Sequence, residues 1–214
     1  MNRRFVFLIG ILGVSLFAAT SLIGGLLIED YSILSQYISE TYAIDTDYGW
    51  SLRVFGFVPS GVFITLFCFL GAGYFQSSKL TKIGFYGIGV FYGLATVLVS
   101  LFPCDSGCNR EFINPSSSQL IHNLVGLLTY LFVPIFMIQI GLGLKNSTDK
   151  SRFWLKSMVL GVISILFVFL LFFNQNSEYI GLYQRMVELV FVGWVISCAF
   201  TIKNGRFINL NASE

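Results

Sequence analysis

Six apolar stretches alternate with polar connections along the chain, at about Phe5–Ile28, Val54–Phe75, Ile83–Phe102, Gln119–Leu144, Ser157–Phe173 and Gln184–Ile202. Each is close to the roughly 20 residues that an α-helix needs to cross a hydrocarbon core about 30 Å thick. A segment inside lipid must satisfy its backbone internally, so the pattern predicts an all-α, six-transmembrane-helix bundle. The fourth stretch is long and the fifth short, so their tilts should differ. No internal repeat and no soluble domain interrupts the pattern, and residues 1–214 read as a single bundle.

The connections also alternate in character. Of the 13 Lys and Arg residues, 10 (Arg3, Arg4, Lys79, Lys82, Lys145, Lys150, Arg152, Lys156, Lys203 and Arg206) fall in the termini and loops of one side, and only Arg53, Arg110 and Arg185 on the other. The positive-inside rule then predicts cytoplasmic N- and C-termini and three outward loops. On the basic side the only acids are Asp149 and Glu214, an agreement that adds little because the rule does not count net charge. The run from Phe5 continues to Ile28, past the roughly 7–15 residues of a signal-peptide core, and is expected to be an uncleaved first span.

The first outward loop, Glu29–Leu52, holds Tyr31-Ser-Ile-Leu-Ser-Gln-Tyr-Ile-Ser-Glu40. Helical spacing would put Tyr31, Leu34, Tyr37 and Ile38 on one face, which predicts a short helix lying in the membrane interface. Pro59 and Pro134 fall inside the second and fourth spans and should kink them. Gly84, Gly87, Gly89 and Gly93 in the third span allow close helix approach, expected within one monomer rather than as a dimer seam.

Composition narrows the class further. With 55% apolar and 11% charged residues the chain lacks the roughly 25% charge of a soluble protein. The net charge of +2 comes from the basic loops and gives no reason to expect nucleic acid. Sequons at Asn146 and Asn211 lie on the predicted cytoplasmic side and are not expected to carry glycans. Cys68 and Cys198 are in spans, whereas Cys104 and Cys108 share an outward loop, where a local disulfide is plausible and Gly107 supplies flexibility. The C-x3-C pair stands without a second Cys or His pair and the chain has a single histidine, so no metal site and no cofactor is expected.

Polar groups gather at the outward ends of the spans: Glu40, Arg53, Asp105, His122, Arg185 and Glu188. Ionisable groups at membrane depth cost about 2.5–3.5 kcal/mol each on insertion scales, so a shared pocket is the economical expectation. Within it His122 can act as acid or base, or simply cap a helix, and Asp105 or Glu40 can orient it. Arg185, Ser39 and Glu188 are the candidate ligand-binding groups. Arg185 and Glu188, at i and i+3, can also form a plain ion pair on one helix. Ser60 beside Pro59 invites a Ser–His dyad with His122, but no Gly-x-Ser-x-Gly elbow surrounds it.

Tyr31-Ser-Ile-Leu-Ser-Gln-Tyr-Ile-Ser-Glu40, Phe102-Pro-Cys-Asp105, His122-Asn-Leu-Val-Gly-Leu-Leu and Gly181-Leu-Tyr-Gln-Arg185, with Trp194 beyond, together resemble the prokaryotic six-span proteins of domain-of-unknown-function family nine hundred and ninety-eight. The resemblance covers most of the chain. It implies a six-helix bundle in a prokaryotic cytoplasmic membrane and marks Ser39, Glu40, Asp105, His122 and Arg185 as polar positions of the family. The cysteines flanking Asp105 and the Glu40-Thr-Tyr segment, where a glycine would be expected, depart from its pattern. It brings no activity. Two classes of function stay open: a protein that binds a lipid headgroup or a membrane-protein partner in an outward pocket, and an enzyme on a lipid-linked substrate with His122 as acid/base.

Overall fold

The computed structural model describes residues 2–75, 78–145 and 152–205. Asn146, Asp149, Lys150, Arg206, Asn211 and Glu214 lie outside the described residues. The described chain is helical, without strands, and six helices are long and apolar enough to cross a membrane: α1 (Arg3–Leu26), α2 (Gly49–Tyr74), α3 (Lys79–Leu101), α4 (Ser117–Leu144), α5 (Phe153–Phe173) and α6 (Ile180–Lys203). All six begin before the apolar stretches do; α1, α3 and α4 start on polar or charged residues that hydropathy does not register, whereas in α5 and α6 the extra residues are largely apolar or aromatic and the polar Ser157 and Gln184 mark the expected start. At three of these starts the cap is visible: Asn2 accepts from Arg4 N–H, Ser78 from Thr81 N–H and Ser116 from Gln119 N–H, each satisfying a donor that the helix itself leaves free.

Pro59 follows a π-helical turn over Arg53–Phe57 in α2, and a second such turn spans Gly89–Leu94 in α3. In α2 the wide turn lies immediately before the proline, which lacks the N–H an α-helix would need there. Pro134 is carried inside an unbroken α4. The third-span glycines face helices of the same chain: Gly84 and Gly87 lie against Ile140 and Phe136 of α4, and Gly89 and Gly93 against α2. At Gly93 a Cβ would run into the backbone of Thr65, and one at Gly61 into the Gly93 carbonyl, so α2 and α3 touch backbone to backbone.

The bundle is solid in its basic half. Phe75 lies 4.8 Å from Phe85 and 5.3 Å from Phe153, and Phe85 lies 5.6 Å from Trp194. Trp194 Nε1–H donates to Ser157 Oγ at 2.8 Å and that hydroxyl to Met137 O at 2.6 Å, so the indole is buried without an orphaned donor and α4, α5 and α6 are tied together. The opposite half is hollow, roofed by the connections 27–48 and 102–116.

The interfacial helix expected over Tyr31–Glu40 does not form. A turn at residues 33–35 leads into a 3-10 helix over Ile38–Tyr42, which is buried. Side chains compete for the backbone there: Gln36 Oε1 accepts from Ser32 N–H, Ser32 Oγ from Ser35 N–H and Glu40 Oε1 from Tyr37 N–H. The connection packs down on α6, where Leu182 N–H donates to Leu34 O and Ile38 N–H to Gln184 Oε1. Gly181 makes this approach possible, since a Cβ there would strike the backbone of Ile33 and Gln36.

Candidate functional site

A cavity of about 900 Å³ opens under the roof, and all six helices contribute to its walls. Phe17, Phe57, Val99, Leu127, Leu171 and Phe172 give it an apolar lining. Its polar groups are concentrated on α3, α4 and α6, and Glu188 is the one acid inside a helix. Placed eight residues beyond the start of α6, it lies about 12 Å along the helix at 1.5 Å per residue. It is only 8% exposed.

Glu188 terminates a hydrogen-bonded relay that begins in the roof. Ile38 N–H donates to Gln184 Oε1, Gln184 Nε2–H to Tyr130 Oη at 3.0 Å, and Tyr130 Oη–H to Glu188 Oε1 at 3.0 Å. Gln184 and Glu188 share a face of α6 at i and i+4. The second oxygen, Glu188 Oε2, has no hydrogen-bond partner among the described residues, and neither has the buried hydroxyl of Tyr92 close by. Buried polar atoms are nearly always paired, and these two lie near enough to interact with each other without forming a hydrogen bond of normal geometry. Tyr42 borders the same space; burial first, and the nearby Glu188 carboxylate second, push its hydroxyl above its ordinary range and keep it protonated.

His122 also lines the cavity, but it meets no carboxylate directly. Its Nδ1 lies 3.2 Å from Val99 O and 3.0 Å from Phe102 O, at the end of α3, where helix carbonyls lack internal partners. Carbonyls only accept, so Nδ1 carries the hydrogen, and in the neutral ring Nε2 is the basic nitrogen. The capping role weighed from the sequence is thus present in the geometry.

The expected convergence of the other ionisable groups is corrected by the roof. Arg185 does not pair with Glu188. Its Nη1 donates to Ile33 O, Gln36 O and Gly181 O at 2.8–3.0 Å, its Nη2 to Tyr31 Oη at 2.6 Å, and the guanidinium lies 5.5 Å from the Tyr31 ring centroid. Glu40 accepts from Gln36 Nε2 and forms an ion pair with Arg110, whose guanidinium also reaches Ser35 O and lies 4.9 Å from the Tyr37 ring centroid. Two arginines therefore fasten the first connection, one from α6 and one from the 102–116 segment.

Asp105 organises that segment. Its carboxylate accepts from Ser116 N–H at 3.0 Å, Ser116 Oγ–H at 2.5 Å and Asn109 Nδ2–H at 3.5 Å, and the Ser116 backbone bond first, its hydroxyl second, hold the carboxyl below its usual range. Cys104 and Cys108 are joined by a disulfide. Ser39 Oγ lies 3.2 Å from Cys108 Sγ, and since a disulfide sulfur has no hydrogen the serine is the donor. Ile44 N–H to Cys104 O at 3.0 Å and Ser106 Oγ–H to Asp45 Oδ2 at 2.5 Å complete the stitching of the two connections.

Of the residues singled out in the sequence, His122, Glu188 and Ser39 border the cavity, whereas Glu40, Asp105 and Arg185 hold its roof together. Ser60 borders neither His122 nor the cavity, because its hydroxyl donates to Gly13 O at 2.9 Å and joins α2 to α1. Sequence reasoning missed Tyr92, Tyr130 and Gln184. The signal for Gln184 was its i, i+4 spacing from Glu188; the tyrosines carry no such mark, being ordinary residues of apolar spans.

Residues 11–201 match the family described as "Protein of unknown function (DUF998)". The chain belongs to that family. The match takes in α2 to α5 whole, most of α1 and α6, the roof and every residue lining the cavity. No curated protein and no solved structure gives a significant match.

Proposed function

We propose that this DUF998 member is a multi-pass protein of a prokaryotic cytoplasmic membrane, its basic end inside and its roofed end outside, that binds a lipid headgroup in the cavity. The cavity itself carries this reading: a polar wall buried at membrane depth, ending in an unpaired carboxylate oxygen, beneath an apolar lining. Leu120, Leu124, Leu127 and Leu131 form one exposed stripe on α4, and Leu127 of that stripe also lines the cavity. Acyl chains lying along the stripe would thus bring a headgroup to the polar wall, which suits a lipid better than a wholly water-soluble ligand.

Gly126 supplies the test. It lines the cavity, and a Cβ there meets nothing within 4 Å, so Gly126→Trp fills the space without a clash at its root. Lipid retained through purification in a mild detergent, measured by native mass spectrometry, should fall in this variant while the thermal midpoint stays near wild type. Retention equal to wild type would overturn the reading.

The catalytic alternative rests on His122 Nε2, the basic nitrogen of a ring held in place through Nδ1. No carboxylate orients that ring, and Asp105 and Glu40 are engaged in the roof. Binding is therefore the better supported function. Loss of a cellular phenotype in His122→Gln with normal abundance, and its survival in Glu188→Gln, would reverse that order.

A further inference from the structure

Among the described residues, no cationic side chain lies on the wall around Glu188. The one ion pair among the described residues joins Arg110 to Glu40 in the roof. Arg185, a single turn from Glu188, is turned outward and bonded to main-chain oxygens and Tyr31, and Arg53 donates to Tyr42 O at 2.7 Å. His122 contributes an N–H that is already given to carbonyls. Three acids, Glu111, Glu178 and Glu188, border the cavity against one base, Arg110, which is already paired. The first two are exposed at the rim and the third is buried inside, so the potential favours a positive ligand from mouth to wall.

Around the unpaired oxygen the chemistry is that of an acceptor lined with aromatic groups. Glu188 Oε2 and Tyr92 Oη lie near each other, neither with a hydrogen bond of normal geometry among the described residues; Tyr130 Oη donates to the other carboxylate oxygen, and Phe17, Phe57 and Tyr42 border the same space. An N–H of a cation can donate to the carboxylate and to a tyrosine oxygen together, and aromatic faces attract a cation through their quadrupoles. An anionic group would meet a carboxylate with no positive neighbour free to offset it.

We infer that the ligand of this cavity bears an ammonium group, seated between Glu188 and the hydroxyls of Tyr92 and Tyr130. The inference rests on the headgroup-binding reading and narrows it to amine-bearing lipids, with a free water-soluble amine as the other source of the same chemistry.

The experiment presents purified full-length protein with vesicles containing equal amounts of phosphatidylethanolamine and phosphatidylglycerol, and measures by native mass spectrometry which lipid stays bound. Wild type should retain the amine lipid in excess. Glu188→Gln, which keeps shape and removes charge, should lower that retention roughly tenfold while leaving phosphatidylglycerol unchanged, and Tyr130→Phe should lower it less. Equal retention of both lipids by wild type, lost in Gly126→Trp, would overturn the ammonium inference and leave the lipid reading standing. No effect of Gly126→Trp on either lipid would remove both. Displacement of bound amine lipid by millimolar ethanolamine would identify the ammonium as the recognised part, and binding of ethanolamine to lipid-free protein as tight as that of the lipid would assign the site to the soluble amine. Should Glu188→Gln fail to fold, the selectivity of wild type alone decides the matter.

Discussion

Arg185 and Glu188 lie one turn apart on α6 and do not pair: the guanidinium reaches outward to the carbonyls of Ile33 and Gln36, and the carboxylate faces the cavity. Opposite charges at this spacing on a helix normally attract by a few tenths of a kcal/mol, too little to compete with several charge-assisted hydrogen bonds to main-chain oxygens. One residue therefore builds the roof and the other lines the cavity.

Arg185→Ala should release the 27–48 connection from α6. A loss on the order of 2 kcal/mol is expected, and Arg185→Lys should recover little because an ammonium cannot reproduce a planar fork bonded to three carbonyls and Tyr31. Thermal unfolding in detergent, together with proteolysis of the connection, reads both effects. A lysine variant as stable as wild type would count against the clamp.

Peptide mass spectrometry of protein alkylated without reduction should find Cys104 joined to Cys108, with Cys68 and Cys198 free and buried. Since Ser39 donates to the bridge, reduction should also loosen the roof, visible as faster proteolysis between residues 38 and 48. Alkylated Cys104 in protein kept oxidised would contradict the bridge.

Acid should weaken the 102–116 segment through Asp105. Ser116 depresses the folded-state value of this carboxyl, so its contribution is fully present above the ordinary value near 4 and is lost as pH falls through the lower, folded one. Protease resistance of the segment should accordingly decline only below about pH 4. In Asp105→Asn that acid step should vanish, and an identical acid profile for the variant would refute the assignment.

Gly93→Ala should separate α2 from α3, because the added Cβ meets not only the Thr65 hydroxyl but also the Thr65 backbone, which cannot turn aside. The expected cost is about 1–3 kcal/mol. The same change at Gly126, which faces open space, should be nearly neutral, and equal losses at the two sites in thermal unfolding would argue against the packing described.

Topology is tested with single cysteines at Ser78 and Ser117 in a cysteine-free background. Ser78 lies at the basic end, next to Gly143, and Ser117 starts α4 at the roofed end. With 10 basic residues against 3, an impermeant reagent applied to intact cells should label Ser117→Cys alone. Equal labelling would overturn the orientation.

The six helices were legible because lipid imposes one demand on every residue of a span, and twenty apolar side chains in a row can scarcely mean anything else. Their starts were less so, since Ser116, Ser117 and Lys79 belong to helices by hydrogen bonding and not by hydropathy. The Tyr31–Glu40 segment misled because its helical periodicity is real but its partners, Gly181, Gln184 and Arg185, lie about 150 residues away. Of the site, Glu188 and His122 were visible as ionisable groups within apolar stretches. Which of the outward charges faced inward depended on rotamers and on Arg110 finding Glu40, a contact across 70 positions that no local pattern records.

The stitching of the roof is uneven. The connections 27–48 and 102–116 are bonded to each other, and the first is bonded to α6 as well, whereas residues 174–179 form no hydrogen bond to either among the described residues, although Gln175, Asn176 and Glu178 border the same opening. Displacing either fastened connection breaks charge-assisted bonds; displacing the link between α5 and α6 breaks none to its neighbours. Any widening of the mouth is therefore expected first on the side of residues 174–179, before the clasp of Arg110 and Glu40 has to open.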